Sequence, residues 1–531
     1  MDKHRRNFLR LAGCGVATAG LTAPHLYATP DASPSQTMRG IYDVRTFGAA
    51  GDGTTIDTPA VNKAIEAASS AGGGTVRFAA GTYACYSIHL KSNVCLYLEH
   101  GATILAAPSP MEGTTSGGYD TAESNAPWES YQDFGHNHWH NSLIWGENIQ
   151  NFSIAGPGLI WGKGLSRGWE KEQPRAESFG VGNKAIALKN CHNVQLHDFS
   201  ILRGGHFGIL ATGVDNLTID NLIIDTNRDG MDIDCCRNVR ISNCSVNSPW
   251  DDGICPKSSF ALGHPRATEN VTISNCYVTG NYQPGTLLDG TFKKFPPGAK
   301  IARTGGIKFG TESNGGFRNI GIANCVLEGC HGIALETADG ALLEDVSITN
   351  ITMRDIVSAP LFLRLGSRMR GPKGAAIGQL RRILIGNIVS SNAAPLGSVL
   401  SGIPGHCIQD VKISDIYIQH QGGIHDASIQ PPELENAYPE ATMFGPMPSQ
   451  GFFLRHMRNV DMSHIEVASL HPDTRPTFVL QNVKGAGFLR IQAPGSPVVP
   501  VFALYDVEDF RVDLSRGVPD TKLAKVESRK F

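Results

Sequence analysis

The 531-residue sequence predicts an all-β fold, a single-stranded right-handed parallel β-helix, and three observations predict it. A six-residue phrase, Asn-(apolar)-x-Ile-x-(Asn/Asp), recurs along the chain at intervals that begin in the low twenties. Inside each occurrence apolar and polar residues alternate with period two, the pattern of a strand with one buried face. Sixty glycines and only 18% charged residues suit a turn-rich β protein better than a helical one.

Taken in chain order, the first 28 residues read as a twin-arginine-type signal peptide. Arg5 and Arg6 precede an uncharged, Gly/Ala-rich run over 11–24, and cleavage near Ala28 is expected. That run is too short and too poor in large apolar residues for a stable membrane span. Leu11-Ala12-Gly13-Cys14 spells a lipoprotein box, but it opens the apolar run instead of closing it. The expected location is therefore periplasmic or secreted. Residues 29–40 read as an exposed segment, and 41–531 as one catalytic domain, since no stretch is proline-, serine- or charge-rich enough to be a linker.

Next, Asp57 and Pro59 mark a helix start, and an apolar helical period follows to Ala68. A short helix here caps the solenoid and covers its open edge. Gly72-Gly73-Gly74-Thr75 then opens a strand.

The phrase itself begins at Asn193, Asn216, Asn238, Asn270, Asn319, Asp345, Asp410 and Asn459. Intervals of 23, 22 and 26 residues separate some neighbours, and the 49 residues from Asn270 to Asn319 imply a coil with an insertion. Such coils cannot bury an apolar face alone, so they stack and like residues form ladders. Cys244, Cys276 and Cys325 each follow the closing Asn243, Asn275 and Asn324, which reads as an interior cysteine stack beside an asparagine ladder at a corner. Few or no disulfides are expected. Two insertions, near 282–301 and 419–450, are long enough to wall a cleft.

The net charge of −3 gives no electrostatic reason to expect nucleic acid or an anionic membrane. Chemistry concentrates in Asp225-Thr-Asn-Arg-Asp229-Gly-Met-Asp232-Ile-Asp234 and in Trp250-Asp251-Asp252-Gly253. Asp229 and Asp251 lie 22 residues apart, as do Asn216 and Asn238, so Asp229 and the Asp251-Asp252 pair should face the same way on adjacent coils. Coils about 4.8 Å apart bring three carboxylates together, where mutual repulsion lets one hold a proton while others stay ionised. The bland alternative is a set of solvated turn aspartates.

The opening Phe47-Gly48-Ala49-Ala50-Gly51-Asp52-Gly53-Thr54 and Gly72-Gly73-Gly74-Thr75-Val76 resemble the start of pectin-degrading β-helix proteins. The whole mature chain resembles glycoside hydrolase family 28, the polygalacturonases and rhamnogalacturonases, which are pectin-lyase-like solenoids. The resemblance implies inverting hydrolysis of a pectic poly- or oligosaccharide without cofactor or metal, by a monomer. It matches the family's Asn-Thr-Asp motif to Asn227-Arg228-Asp229, with Arg in place of Thr, and the Asp-Asp motif to Asp251-Asp252. Asp251 is then the general acid, while Asp229 and Asp252 position and deprotonate water. Asp232 and Asp234, which follow with period two, are read as structural or as an outer shell around the acids.

Beyond the acids the match breaks. By coil order Thr304 stands where the family has His, and Ala334-Leu335-Glu336 replaces its Arg-Ile-Lys uronate clamp. By local spelling, His331 with Arg364 offers an alternative. Lys257, Arg303 and Lys308 are candidate replacement cations, and Glu312, His206, His331 and Trp250 candidate cleft residues. Loss of the clamp, with Glu336 repelling a uronate, implies either a neutral or deoxy sugar such as rhamnose at that subsite or a uronate gripped from another side by Lys257, Arg303 or Lys308. A blocked cleft implies exo action. A lyase on the same scaffold and a non-catalytic carbohydrate-binding solenoid are the competing classes.

Overall fold

The corners of the coils explain why the phrase repeats. Asn193, Asn216, Asn238, Asn270 and Asn319 all take left-handed backbone, with φ of 54°, 58°, 56°, 56° and 57°, a conformation that asparagine tolerates better than most side chains. Their amides form a ladder: Asn216 donates to Asn193 (2.9 Å), Asn238 to Asn216 (3.1 Å), Asn270 to Asn238 (2.9 Å) and Asn319 to Asn270 (3.0 Å). The closing residues build a second ladder, Asn275 onto Asn243 (3.3 Å) and Asn324 onto Asn275 (3.3 Å).

The structure is a computed structural model describing residues 40–109, 118–167, 175–426, 428–494 and 499–531. The expected signal peptide, Cys14 and residues 29–39 lie outside the described residues. The described residues form a right-handed parallel β-helix of 35 strands in one sheet. The central coils offer three strands each, and from Leu342 onward the second and third merge into one. One coil runs Phe207–Thr212, Asp215–Asp220 and Ile223–Asp225, and the next Asp229–Asp234, Arg237–Ser242 and Ser245–Asn247, each strand parallel to its counterpart. These are called the first, second and third faces. The core is a column of Ile, Val and Leu running the length of the helix, joined by the fully buried Cys244, Cys276 and Cys325. All eleven described cysteines are free thiols.

Both ends are covered. The helix Thr58–Ser70 buries Val61, Ala64, Ile65 and Ala68 against the first coil. Asp57 departs from its expected capping role: it makes no side-chain cap bond. Its buried carboxylate instead accepts from Ala50 N (2.7 Å) and Gly51 N (3.0 Å), folding the glycine-rich opening back over the helix start. At the other end Thr521–Lys530 pairs antiparallel with Phe502–Asp513, and Phe452, Phe478, Phe502 and Phe531 stack with centroids 5.1–5.6 Å apart. No helix among the described residues is long and apolar enough to cross a membrane.

Candidate active site

The site forms at the corner between the third face of one coil and the first face of the next. Met231 pairs with Ile254, and Gly230 N donates to Asp252 O (2.9 Å). Asp229 therefore stacks directly on Asp252, and Arg228 on Asp251, one residue off the pairing that interval counting implied. A glycine must follow each acid, because a Cβ at Gly230 would lie 2.4 Å from Gly253 O and one at Gly253 would lie 2.6 Å from Val278. Ser248 Oγ ties the two corners, bridging the carbonyls of Arg228 (2.6 Å) and Asp251 (2.8 Å).

The three carboxylates converge as expected: one oxygen from each of Asp229, Asp251 and Asp252 lies within 4.8 Å of the others. Asp229 and Asp252 are buried, whereas the Asp251 side chain is 28% exposed. Burial, then the charges of Asp251 and Asp232, push the Asp229 carboxyl well above the usual range, against the opposing charge of Arg228. Arg228 places Nε 3.1 Å from Asp251 and 3.7 Å from Asp229. A cation could in principle be bracketed by these acids, or by Glu123, His140 and Glu147. Positive charge is already supplied to each cluster, by Arg228 and by Lys189, the latter 3.0 Å from Glu147.

Behind the acids runs a buried row of alternating charges. His136 Nε2 meets Asp232 (3.1 Å), and Asp232 faces Lys257 (3.7 Å). Lys257 donates to Glu312 (3.0 Å), and Arg368 lies between Glu312 (3.4 Å) and Asp339 (2.5 Å). This corrects two expectations. Lys257 and Glu312, 5% and 8% exposed, satisfy each other and do not line the cleft. His206 is also withdrawn: it stacks on Phe207 and lies 3.3 Å from Asp133, and burial drives its imidazole down to about 3. Asp234, by contrast, is structural as read, accepting from Ser259 N (2.7 Å) and Oγ (2.5 Å).

On the C-terminal side of the acids is a cavity of about 170 Å³ lined by Lys308, His331, Glu336, Tyr438 and Glu440 over an apolar floor that includes Ala334 and Phe362. Lys308 Nζ lies 3.3 Å from Asp252 and donates to Tyr438 (3.0 Å). Thr304 lines the same cavity. Lys308 pairs with Ala334, so Ala334 and Glu336 lie on the coil that follows Lys308. Glu336 is 1% exposed and accepts from Thr311 Oγ1 (3.2 Å). Burial first, with Asp252 adding to it and Lys308 opposing, raises its carboxyl to about 8. At neutral pH it is mostly uncharged, so the repulsion expected of it is weak.

The alternative clamp residue Arg364 is committed elsewhere. It donates to Ser401 (2.9 Å), Gly402 O (3.0 Å), Glu433 O (2.9 Å) and Leu434 O (3.1 Å). Arg455 binds Pro431 O (2.9 Å) and Pro432 O (3.0 Å). Together they pin the 419–450 insertion, which delivers Tyr438, Glu440 and Ala441 to the cavity wall. Arg303 sits half-buried at the end of the 282–301 insertion, its backbone joining Pro249 and His331, and lines neither cavity near the acids. Trp250 packs edge-to-face on Phe295 (5.4 Å) and lines a second cavity on the N-terminal side.

Sequence reasoning missed Asp133 and His136, which lie in a non-repeating stretch with no periodic signal. It noticed Arg228 only as a departure from a motif. The signal for Tyr438 was its place in a long insertion.

Residues 41–285 match the family described as rhamnogalacturonase A/epimerase, pectate lyase-like. A probable polygalacturonase from Vitis vinifera is 23% identical over 403 residues, 70% of this chain and 73% of its own. An exo-poly-alpha-D-galacturonosidase from Dickeya chrysanthemi is 23% identical over 285 residues, 46% of this chain and 45% of its own, so the chain spans less than half of that relative. A family 28 exopolygalacturonase structure from Yersinia enterocolitica superposes with a TM-score of 0.63 at 18% identity, over 86% of this chain and 79% of that one, a likeness of fold.

Proposed function

From a chain that carries a pectate-lyase-like rhamnogalacturonase/epimerase domain and has polygalacturonase relatives, we propose a glycoside hydrolase that cleaves pectic poly- or oligosaccharides from a chain end. The observation that carries this is the convergence of Asp229, Asp251 and Asp252 at a cleft. Asp251, the exposed member, protonates the leaving glycosidic oxygen. Asp229 and Asp252, stacked on adjacent coils, hold water and remove its proton. Crowding and the burial of Asp229 favour a proton within the cluster; delivered from Asp251 it protonates the leaving oxygen, and the proton taken from water replaces it. Two-carboxylate inverting sites space their groups about 6.5–9.5 Å apart. The closer packing here fits a water held by a pair of acids instead of by one base across the ring, and inversion is the proposed outcome.

The cavity wall built from the 419–450 insertion supports exo action, and the apolar floor at Ala334 and Phe362 supports a neutral or deoxy sugar such as rhamnose there. Export of the chain, proposed from the twin-arginine-type segment, suits a polymer met outside the cytoplasm. Product profiling on homogalacturonan and on rhamnose-containing pectic oligosaccharides tests the proposal. The expected result is release of single sugars of inverted anomeric configuration without unsaturated-uronate absorbance. An unsaturated product overturns hydrolysis, and high efficiency on plain homogalacturonan overturns the neutral-sugar subsite.

Glu336 gives a pH signature. Its raised carboxyl is neutral, and able to donate to a sugar hydroxyl, below about 8, and ionised above. The rate profile kcat/KM against pH should fall on the alkaline side of 8 in the wild type, and Glu336→Gln should flatten that limb. An unchanged limb in the variant would assign the titration elsewhere.

A further inference from the structure

The cavity on the N-terminal side of the acids, about 280 Å³, is lined by Lys163, Arg167, Arg203, Asn227 and Trp250. Lys163 follows the strand Leu159–Trp161 and Arg203 follows Ser200–Leu202, which pair on the third face. Their corners precede, coil by coil, the corner that carries Asn227 and Asp229. The cations therefore stand one and two coils from Asp229, about 5–10 Å along the helix axis, opposite the cavity that holds Lys308. We propose that this cavity is a subsite for an anionic sugar, a uronate whose carboxylate is bound by Lys163 and Arg203 beside Arg167, with Trp250 against the ring.

Charge balance separates this place from the rest of the cleft. Lys257, Lys308, Arg228 and Arg368 each face a carboxylate. Among the described residues, neither Lys163 nor Arg203 pairs with one. Arg167 is positioned by Asn227, whose side-chain oxygen accepts from its Nη1 (2.8 Å) once the amide is correctly oriented. Burial and then the charge of Arg203 push the Arg167 guanidinium down, so like charges crowd here. Planar, charge-assisted pairing is the chemistry such a cluster offers a carboxylate.

The inference deepens the proposed hydrolase and rests on it for the substrate class: uronate recognition sits on the N-terminal side of the acids, and the C-terminal cavity takes the less charged sugar. The test uses Asp251→Asn protein, with and without Lys163→Ala and Arg203→Ala, titrated calorimetrically. The probes are a galacturonate-containing pectic oligosaccharide and its carboxyl-reduced counterpart. Preference for the charged probe should fall on the order of tenfold per cation removed, with a shallower salt dependence. An equal loss on both probes, or no loss on the charged one, overturns the subsite. A charge-dependent loss in a protein whose Asp251 form hydrolyses no pectic substrate supports the subsite and overturns the hydrolase. Hydrolysis of pectic oligosaccharides without charge dependence does the reverse.

Discussion

Asp251→Asn is expected to lower kcat about 10²–10⁴-fold, the usual contribution of a positioned proton donor, while the solenoid keeps its fold. Asparagine preserves the size of the side chain and an acceptor for Arg228 Nε, now 3.1 Å away, but it has no acidic proton to give. The side chain is partly exposed at a corner and takes no part in the apolar column, so circular dichroism and Tm should change little. A leaving group that needs no protonation separates this role from a general disturbance. On an aryl glycoside with an acidic phenol, Asp251→Asn should recover much of its rate, whereas Asp252→Asn should not. A variant as active as wild type on natural substrate, or one not rescued by the aryl leaving group, removes Asp251 as the acid.

Asp229→Asn is expected to abolish most activity and yet raise thermal stability at neutral pH. Asp229 is buried against Asp251 and Asp232, and its carboxyl is raised well above the ordinary range. Because the folded value exceeds the unfolded one, the folded state binds more protons between the two values, and stability falls as pH rises through that window. Below the unfolded value the proton is present in both states and the cost vanishes. An amide never ionises, so the variant escapes the cost, and its Tm advantage should be larger at pH 7 than at pH 4. The rate should fall about 10²–10³-fold through loss of one of the two groups holding the water. A lower Tm at pH 7 than wild type would show that the Asp229 carboxylate is stabilised by Arg228 more than it is penalised by its neighbours.

Much of the scaffold was legible because a solenoid makes long-range neighbours out of evenly spaced residues. The interval between Asp229 and the Asp251-Asp252 pair was enough to place three acids together, and the position of Cys244, Cys276 and Cys325 after a corner asparagine was enough to place them inside. The limit of interval counting shows at the same site. A corner that spans 23 residues to its counterpart instead of 22 decides that Asp229 lies over Asp252, and Arg228 over Asp251. Lys257 and Glu312 had the right composition for a cleft, but strand alternation could not say that Glu312, 55 residues on, would turn in to meet Lys257.

The sequence by itself determined the parallel β-helix, its capping helix, the corner ladders and the three acids, since each depends on local alternation, turn residues and a regular repeat. The tertiary structure alone decided which charges face solvent and which neutralise one another. Burial energies of ions depend on partners brought from non-repeating segments: His136 to Asp232 from the short helix Phe134–Asn137 inserted between coil strands, and Tyr438 to Lys308 from an insertion 130 residues away. Neither distance has a period, so no spacing in the chain records it.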